Sequence, residues 1–169
     1  SLSKDETIYY SNAELQNLRN SLKIKTNELV TMSGASSYKL FDGNDSAYFK
    51  MIKNLLIKEP NLKHIVISEL SDKQKNIVEN IFGEAKNVRN RLIIIPYQAD
   101  FDKYFQLADV FIDSFPVSSA LTQIDLMRNK VASVVKINKE TPKFSFRLKV
   151  RLLHFRALLL VNTVHLILQ

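Results

Sequence analysis

Two stretches of the chain combine anion-binding groups with an element that could aim them. Ser33-Gly34-Ala35-Ser36-Ser37-Tyr38-Lys39 is a run of small and hydroxylated residues leading to one cation. Backbone N–H groups, hydroxyls such as that of Ser37 and the Lys39 ammonium can hold phosphate oxygens where donors converge at a strand exit. Neither a Walker-type nor a dinucleotide pattern is present, so the spacing alone leaves open a polar surface loop with a solvated lysine. The second stretch runs from Ala108 to Asp125. An apolar strand enters a loop containing Pro116, and the helix that follows offers Ser118, Ser119 and Thr122 to an anion from its first turn. Asp125, on the next turn, could accept hydrogen bonds from vicinal ribose hydroxyls while the helix start holds phosphates. Its alternative is an exposed helical acid paired with Arg128 at i+3, worth roughly 0.2–0.5 kcal/mol.

The elements around these residues alternate in type. Short β-branched runs at Glu28 to Met32, His64 to Ile67, Leu92 to Ile95, Val110 to Ile112 and Val131 to Val135 are separated by stretches of helical period. Tyr48, Met51, Ile52, Leu55 and Leu56 make one helical stripe, with a cap expected within Asp42-Gly43-Asn44-Asp45 and a stop at Pro60. Ser71 with Gln74 is a capping-box pair ahead of the stripe Ile77, Val78, Ile81 and Phe82, and Gly83 ends that helix. Asp100 to Ala108 predicts a short helix, and Ser118 or Ser119 to Arg128 a longer one. Five strands joined by crossover helices predict an α/β fold, a doubly wound, parallel, Rossmann-like sheet. Ligands in such sheets gather beyond the carboxyl ends of the strands, here the loops after Met32, Ile95 and Ile112.

Other candidates resolve to packing. His64 opens a buried strand and His154 and His165 lie near the carboxyl end, so no pair has metal-ligand spacing on a common element. Asp109 and Asp113 share a strand face but stand ~13 Å apart, too far to hold one ion. No metal site is expected.

The ordered set of Ser36-Ser37-Tyr38-Lys39 after a first strand, Pro96-Tyr97-Gln98 after a third, Gln106 through Asp113, Phe115-Pro116 and Ile124-Asp125 resembles the C-terminal, donor-binding domain of GT-B glycosyltransferases. The resemblance covers about residues 28 to 140 and points to the O-GlcNAc transferases and the bacterial cytoplasmic protein N-glycosyltransferases. It implies a UDP-sugar as donor substrate, no cofactor, and an inverting, metal-independent transfer to a protein or glycan acceptor. Lys39 then matches the lysine on the donor diphosphate and Asp125 the ribose carboxylate. Pro96, Tyr97 and Gln98 match the loop that meets the nucleobase, and Ser118 to Thr122 the phosphate segment. Relatives place glycine with histidine, threonine or asparagine in that segment, whereas this chain has Ser119-Ala120-Leu121-Thr122. Asn129-Lys130 stands where relatives often have a glycine turn. These departures leave an alternative, a non-catalytic glycosyltransferase-like partner or scaffold of a glycosylation complex.

Composition sets the frame. The chain has 169 residues, 46% apolar and 24% charged, as expected of one globular core, and no cysteine, which excludes disulfides, thiolate metal sites and a cysteine nucleophile. The net charge of +7 is unevenly spread: residues 1 to 140 hold all 17 acids and 19 of the 24 Lys and Arg, a net +2, and the last 29 residues carry +5. A nucleic-acid partner is not expected, since no aromatic-interleaved basic face is present. Residues 1–27 read as a linker or the end of a preceding domain, 28–140 as the nucleotide-sugar-binding domain, and 141–169 as a basic and apolar tail. Membrane contact through that tail is a lesser expectation. The opening at Ser1 suggests a fragment whose acceptor site lies in a missing N-terminal domain, and the lack of a leader or long apolar run suggests a cytoplasmic location.

Overall fold

Apolar runs too short for helices and rich in β-branched residues bury best as parallel strands with helices on both faces. Leu29–Gly34 (β1), Leu62–Ile67 (β2), Leu92–Ile95 (β3), Val110–Ile112 (β4) and Ala132–Val134 (β5) form one five-stranded parallel sheet, ordered β3-β2-β1-β4-β5. The computed structural model describes residues 9–135, apart from 99, 116, 118 and 119. Registers are unbroken, with Leu29 to Gly34 opposite Leu62 to Ile67, and His64 to Ile67 opposite Leu92 to Ile95. The strand order reverses between β1 and β4, which is where a doubly wound sheet opens a crevice.

Alternate residues along each strand serve opposite cores. On one face Val66, Val110 and Ile112 pack with Tyr48, Phe49, Ile52, Leu55 and Leu56 of Ala47–Lys58 (α2) and with Val78 and Phe82 of Asp72–Phe82 (α3). On the other, Met32, Ile65, Ile67 and Phe111 meet Tyr104, Phe105 and Leu107 of Asp102–Leu107 (α5) and Leu126 of Ala120–Arg128 (α6). Leu18 of Asn12–Ser21 (α1), with Leu22 and the buried Ile24, joins this second core, so α1 packs on the same body as the sheet.

Local signals explain most boundaries. The capping box at α3 forms as the spacing predicts, with Ser71 Oγ accepting from Gln74 N at 3.3 Å and Gln74 Oε1 accepting from Ser71 N at 3.0 Å. Gly83 ends that helix at φ 53°. The cap of α2 is a correction. It is not within Asp42 to Asp45, which form a turn with Gly43 at φ 60°, but at Ser46, whose Oγ accepts from Phe49 N at 3.0 Å and donates to Leu40 O at 2.6 Å. The helix expected over 100–108 shortens to α5, and the strand expected over 131–135 to β5. A short helix at Lys86–Arg89 (α4) has too few residues to show a period in the sequence.

Two helices close in the same way without glycine. After α1, Lys23 N donates to Asn20 O at 3.0 Å and Ile24 N to Arg19 O at 2.8 Å. After α6, Lys130 N donates to Met127 O at 3.2 Å and Val131 N to Leu126 O at 3.0 Å. These are Schellman closures, and their left-handed residues are Lys23 at φ 55° and Lys130 at φ 57°.

His64 is fully buried at the heart of the sheet. It faces Thr31, its register partner, with Thr31 Oγ1 at 2.7 Å from Nδ1, while the Tyr48 hydroxyl lies 2.8 Å from Nε2. Burial pushes the imidazole down to about 3 and pushes the Tyr48 phenol up. The ring is therefore neutral at physiological pH, one nitrogen donating and the other accepting. His154, His165 and the basic tail from 141 lie outside the described residues. No described helix is long and apolar enough to cross a membrane.

Candidate functional site

The strand ends converge on one cleft of about 810 Å³. Its first wall grows from β1. Gly34 leaves the strand, Ala35 N donates to Ile67 O at 3.2 Å, and the chain then tightens into a 3₁₀ turn over Ser37–Lys39. Leu40 and Phe41, both buried, anchor the end of that turn. Ser36, Ser37 and Lys39 line the cleft, while Tyr38 is exposed.

The second wall follows β3. Tyr97 lines the cleft with 74% of its surface exposed. Pro96 and Gln98 do not line it. The Gln98 amide instead donates to the carbonyls of Pro96 and Tyr97 at 3.1 and 3.3 Å, which stiffens its own loop. The loop crosses the sheet until Phe101 rests on Gly34 so closely that a Cβ there would stand 2.1 Å from the ring's Cζ. Only glycine leaves room for the ring. Phe101 meets Phe105 edge-on at 4.9 Å between centroids, and both line the cleft.

From outside, the hydroxyl of Tyr10 donates to Asp100, which also pairs with Lys103 at 3.1 Å. That bond pushes the Tyr10 phenol up to about 12 and holds the Asp100 carboxyl below the usual carboxylate range. The residues leading into α1 are thereby tied to the loop that carries Tyr97 and Phe101.

The third wall is α6, which presents Thr122 and Asp125 to the same cleft. Asn129, in the closing turn of α6, fixes the helix against α5: its Nδ2 donates to Asp102 Oδ1 at 3.2 Å and Gln106 Nε2 donates to its Oδ1 at 3.2 Å. Of the sequence-derived set, Ser37, Lys39, Tyr97, Thr122 and Asp125 meet at one cleft, and Ser118 and Ser119 lie outside the described residues. Asp109 and Asp113 part at the two ends of β4, where Asp109 Oδ2 accepts from Val30 N at 2.8 Å and Asp113 Oδ1 from Ser114 N at 2.8 Å.

Several lining residues were not found by the sequence reading: Ser68, Glu69, Phe101, Asp102 and Phe105. Ser68 and Glu69 follow β2, and the carboxyl-end rule that singled out the loops after β1, β3 and β4 would have found them had it been applied to every strand. Among the described lining residues Lys39 is the one cation, against the carboxylates Glu69, Asp102 and Asp125. Lys39 is therefore the described lining group that suits an anionic ligand, and the Tyr97, Phe101 and Phe105 rings suit a planar apolar group.

The sequence matches no protein-family model and no curated protein. Its fold has solved counterparts. HepE from Anabaena, solved with UDP and glucose, superposes with a TM-score of 0.58 at 14% identity, over 75% of this chain and 34% of that one. This is half of a GT-B fold. The O-GlcNAc transferase of Thermobaculum terrenum gives 0.52 at 15% identity, over 64% of this chain and 21% of that one. A putative UDP-N-acetylglucosamine 2-epimerase from Listeria monocytogenes gives 0.52 at 16% identity, over 79% and 32%. The chain thus spans about a third of the length of HepE and of the epimerase. Its expected C-terminal place agrees with a further match, to the C-terminal domain of a group 1 glycosyl transferase from Francisella tularensis, over 67% of that chain at a TM-score of 0.53 and 15% identity.

Proposed function

We propose that this chain is the donor-binding half of an inverting, metal-independent glycosyltransferase that takes a UDP-sugar and passes the sugar to a protein or glycan acceptor. The observation that carries this reading is the convergence of Lys39 and Asp125, 86 positions apart in the chain, on one cleft that Tyr97, Phe101 and Phe105 also line. Lys39 and the Ser37 hydroxyl hold the diphosphate, with Thr122 and the start of α6 facing them. Asp125 accepts from the ribose hydroxyls, and the base lies toward Tyr97 and the loop of Pro96 and Gln98.

In the transfer, an acceptor oxygen or nitrogen bonds to the anomeric carbon as the bond from that carbon to the β-phosphate oxygen breaks. The electron pair leaves on UDP, where the Lys39 ammonium stabilises the growing charge. The acceptor's proton goes to a base contributed by the remainder of the enzyme. UDP-sugar binding precedes epimerisation as well as transfer, and the epimerase among the structural counterparts has the same fold. Transfer is preferred because the ordered residue match extends through both Lys39 and Asp125. The three carboxylates facing one ammonium favour a second reading, a non-catalytic scaffold that has lost the donor.

Calorimetric titration of UDP into the chain, into Lys39→Ala and into Asp125→Ala separates them. Each substitution removes a charge-assisted hydrogen bond and weakens binding at least about 10-fold. Equal affinity in all three proteins overturns the donor assignment, and no binding by any of them selects the scaffold.

A further inference from the structure

At the end of β2 the cleft lining holds a group that no described residue uses. Ser68 lines the cleft and is 4% exposed, yet its hydroxyl oxygen is buried with no hydrogen-bond partner among the described residues. Its backbone N–H donates to Ile95 O at 3.0 Å, so the residue is held directly beside the start of the Pro96–Gln98 loop. A buried hydroxyl left unpaired is destabilising, and native proteins keep few of them without a ligand or water to answer. Serine turns about one torsion. Because the present rotamer makes no hydrogen bond, swinging the hydroxyl toward the cleft sacrifices none.

The surroundings limit what it can meet. Ile67 and the carboxylate-bearing Glu69 flank Ser68 in the lining, and the Phe101 ring lying on Gly34 and the Tyr97 ring line the same cleft and suit the faces of a flat heterocycle. The cation that suits phosphate is Lys39, on the wall that grows from β1. Building on the donor-binding reading above, we propose that the Ser68 hydroxyl reads the hydrogen-bonding edge of the donor's nucleobase, seated against Phe101. A hydroxyl both donates and accepts, so it can meet a ring carbonyl or the adjacent ring N–H of uracil.

The test is titration of UDP and of inorganic pyrophosphate into the chain, Ser68→Ala and Lys39→Ala, with a thermal melt of each free protein. Ser68→Ala should melt at or above the parent temperature, because it deletes an unpaired hydroxyl. It should also weaken UDP about 5- to 10-fold while leaving pyrophosphate affinity unchanged, whereas Lys39→Ala should weaken both. If Lys39→Ala weakens UDP and Ser68→Ala does not, a water alone answers the hydroxyl, and the base assignment falls while the donor reading stands. If Ser68→Ala weakens pyrophosphate as much as UDP, the hydroxyl serves the phosphates and the base assignment is likewise overturned. Failure of the parent chain to bind UDP removes the donor reading and this assignment together.

Discussion

Acid should destabilise this protein through its buried histidine, His64. His64 is fully buried between Thr31 and Tyr48, and its ring is pushed down to about 3 from an ordinary 6.5 by loss of solvation. The folded state therefore holds the neutral ring, while the unfolded chain takes up a proton below pH 6.5. The contribution is complete above 6.5 and is lost as pH falls from there toward 3, at up to about 1.4 kcal/mol per pH unit. Over the whole window the loss reaches about 5 kcal/mol, comparable to the total stability of many domains. Denaturant unfolding of the chain and of His64→Gln at pH 7.5, 6.5, 5.5 and 4.5 isolates this term, since the carboxylates titrate in both proteins. At pH 7.5 the variant should be less stable by about 1–3 kcal/mol, because the Thr31 and Tyr48 hydroxyls lose their shared partner. Below pH 6.5 that difference should shrink by about 1.4 kcal/mol per unit. A difference that stays flat down to pH 4.5 would refute the premise that burial holds the ring neutral.

Lys23→Gly and Lys130→Gly should each raise stability by about 0.5–1 kcal/mol in denaturant unfolding, since both lysines sit in left-handed backbone at a Schellman closure; loss of stability would mean that their side chains contribute more than the backbone strain they cause. Gly34→Ala should evict the Phe101 ring and destabilise by about 1–3 kcal/mol, and the cost should largely vanish in a Phe101→Ala background; two additive substitutions in a double-mutant cycle would show that the ring does not rest on Gly34.

The expectations from the residues held where one local rule acts alone. The run Leu92 to Ile95 is β3 residue for residue, and Val110 to Ile112 is β4, because a short, wholly apolar, β-branched run between turn signals has few other uses. The Ser71 capping box formed for the same reason. Where two local candidates competed, the choice needed the fold. Ser46 rather than Asp42 to Asp45 caps α2, since its hydroxyl can also reach Leu40 O in the chain that returns from the 3₁₀ turn. At Lys130, glycine is the usual occupant of such a closure, and the sequence shows only that it is missing; that the backbone turns left-handed there regardless follows from its two closing hydrogen bonds.

By its own pattern, then, the chain determined a parallel α/β sheet, the strands that compose it and two groups of polar side chains at strand exits. Periodicity and caps depend on neighbours a few residues away, and such neighbours can be read in order. Tertiary structure decided that the loop after β3 crosses to set Phe101 on Gly34, 67 positions earlier, and that Ser68 lines the cleft with a hydroxyl that no described residue answers. It also decided that Asn129 braces α5 against α6, and that His64 must stay uncharged. Those outcomes are contacts between distant segments, set by how the layers pack, and no spacing along the chain encodes a distance across it.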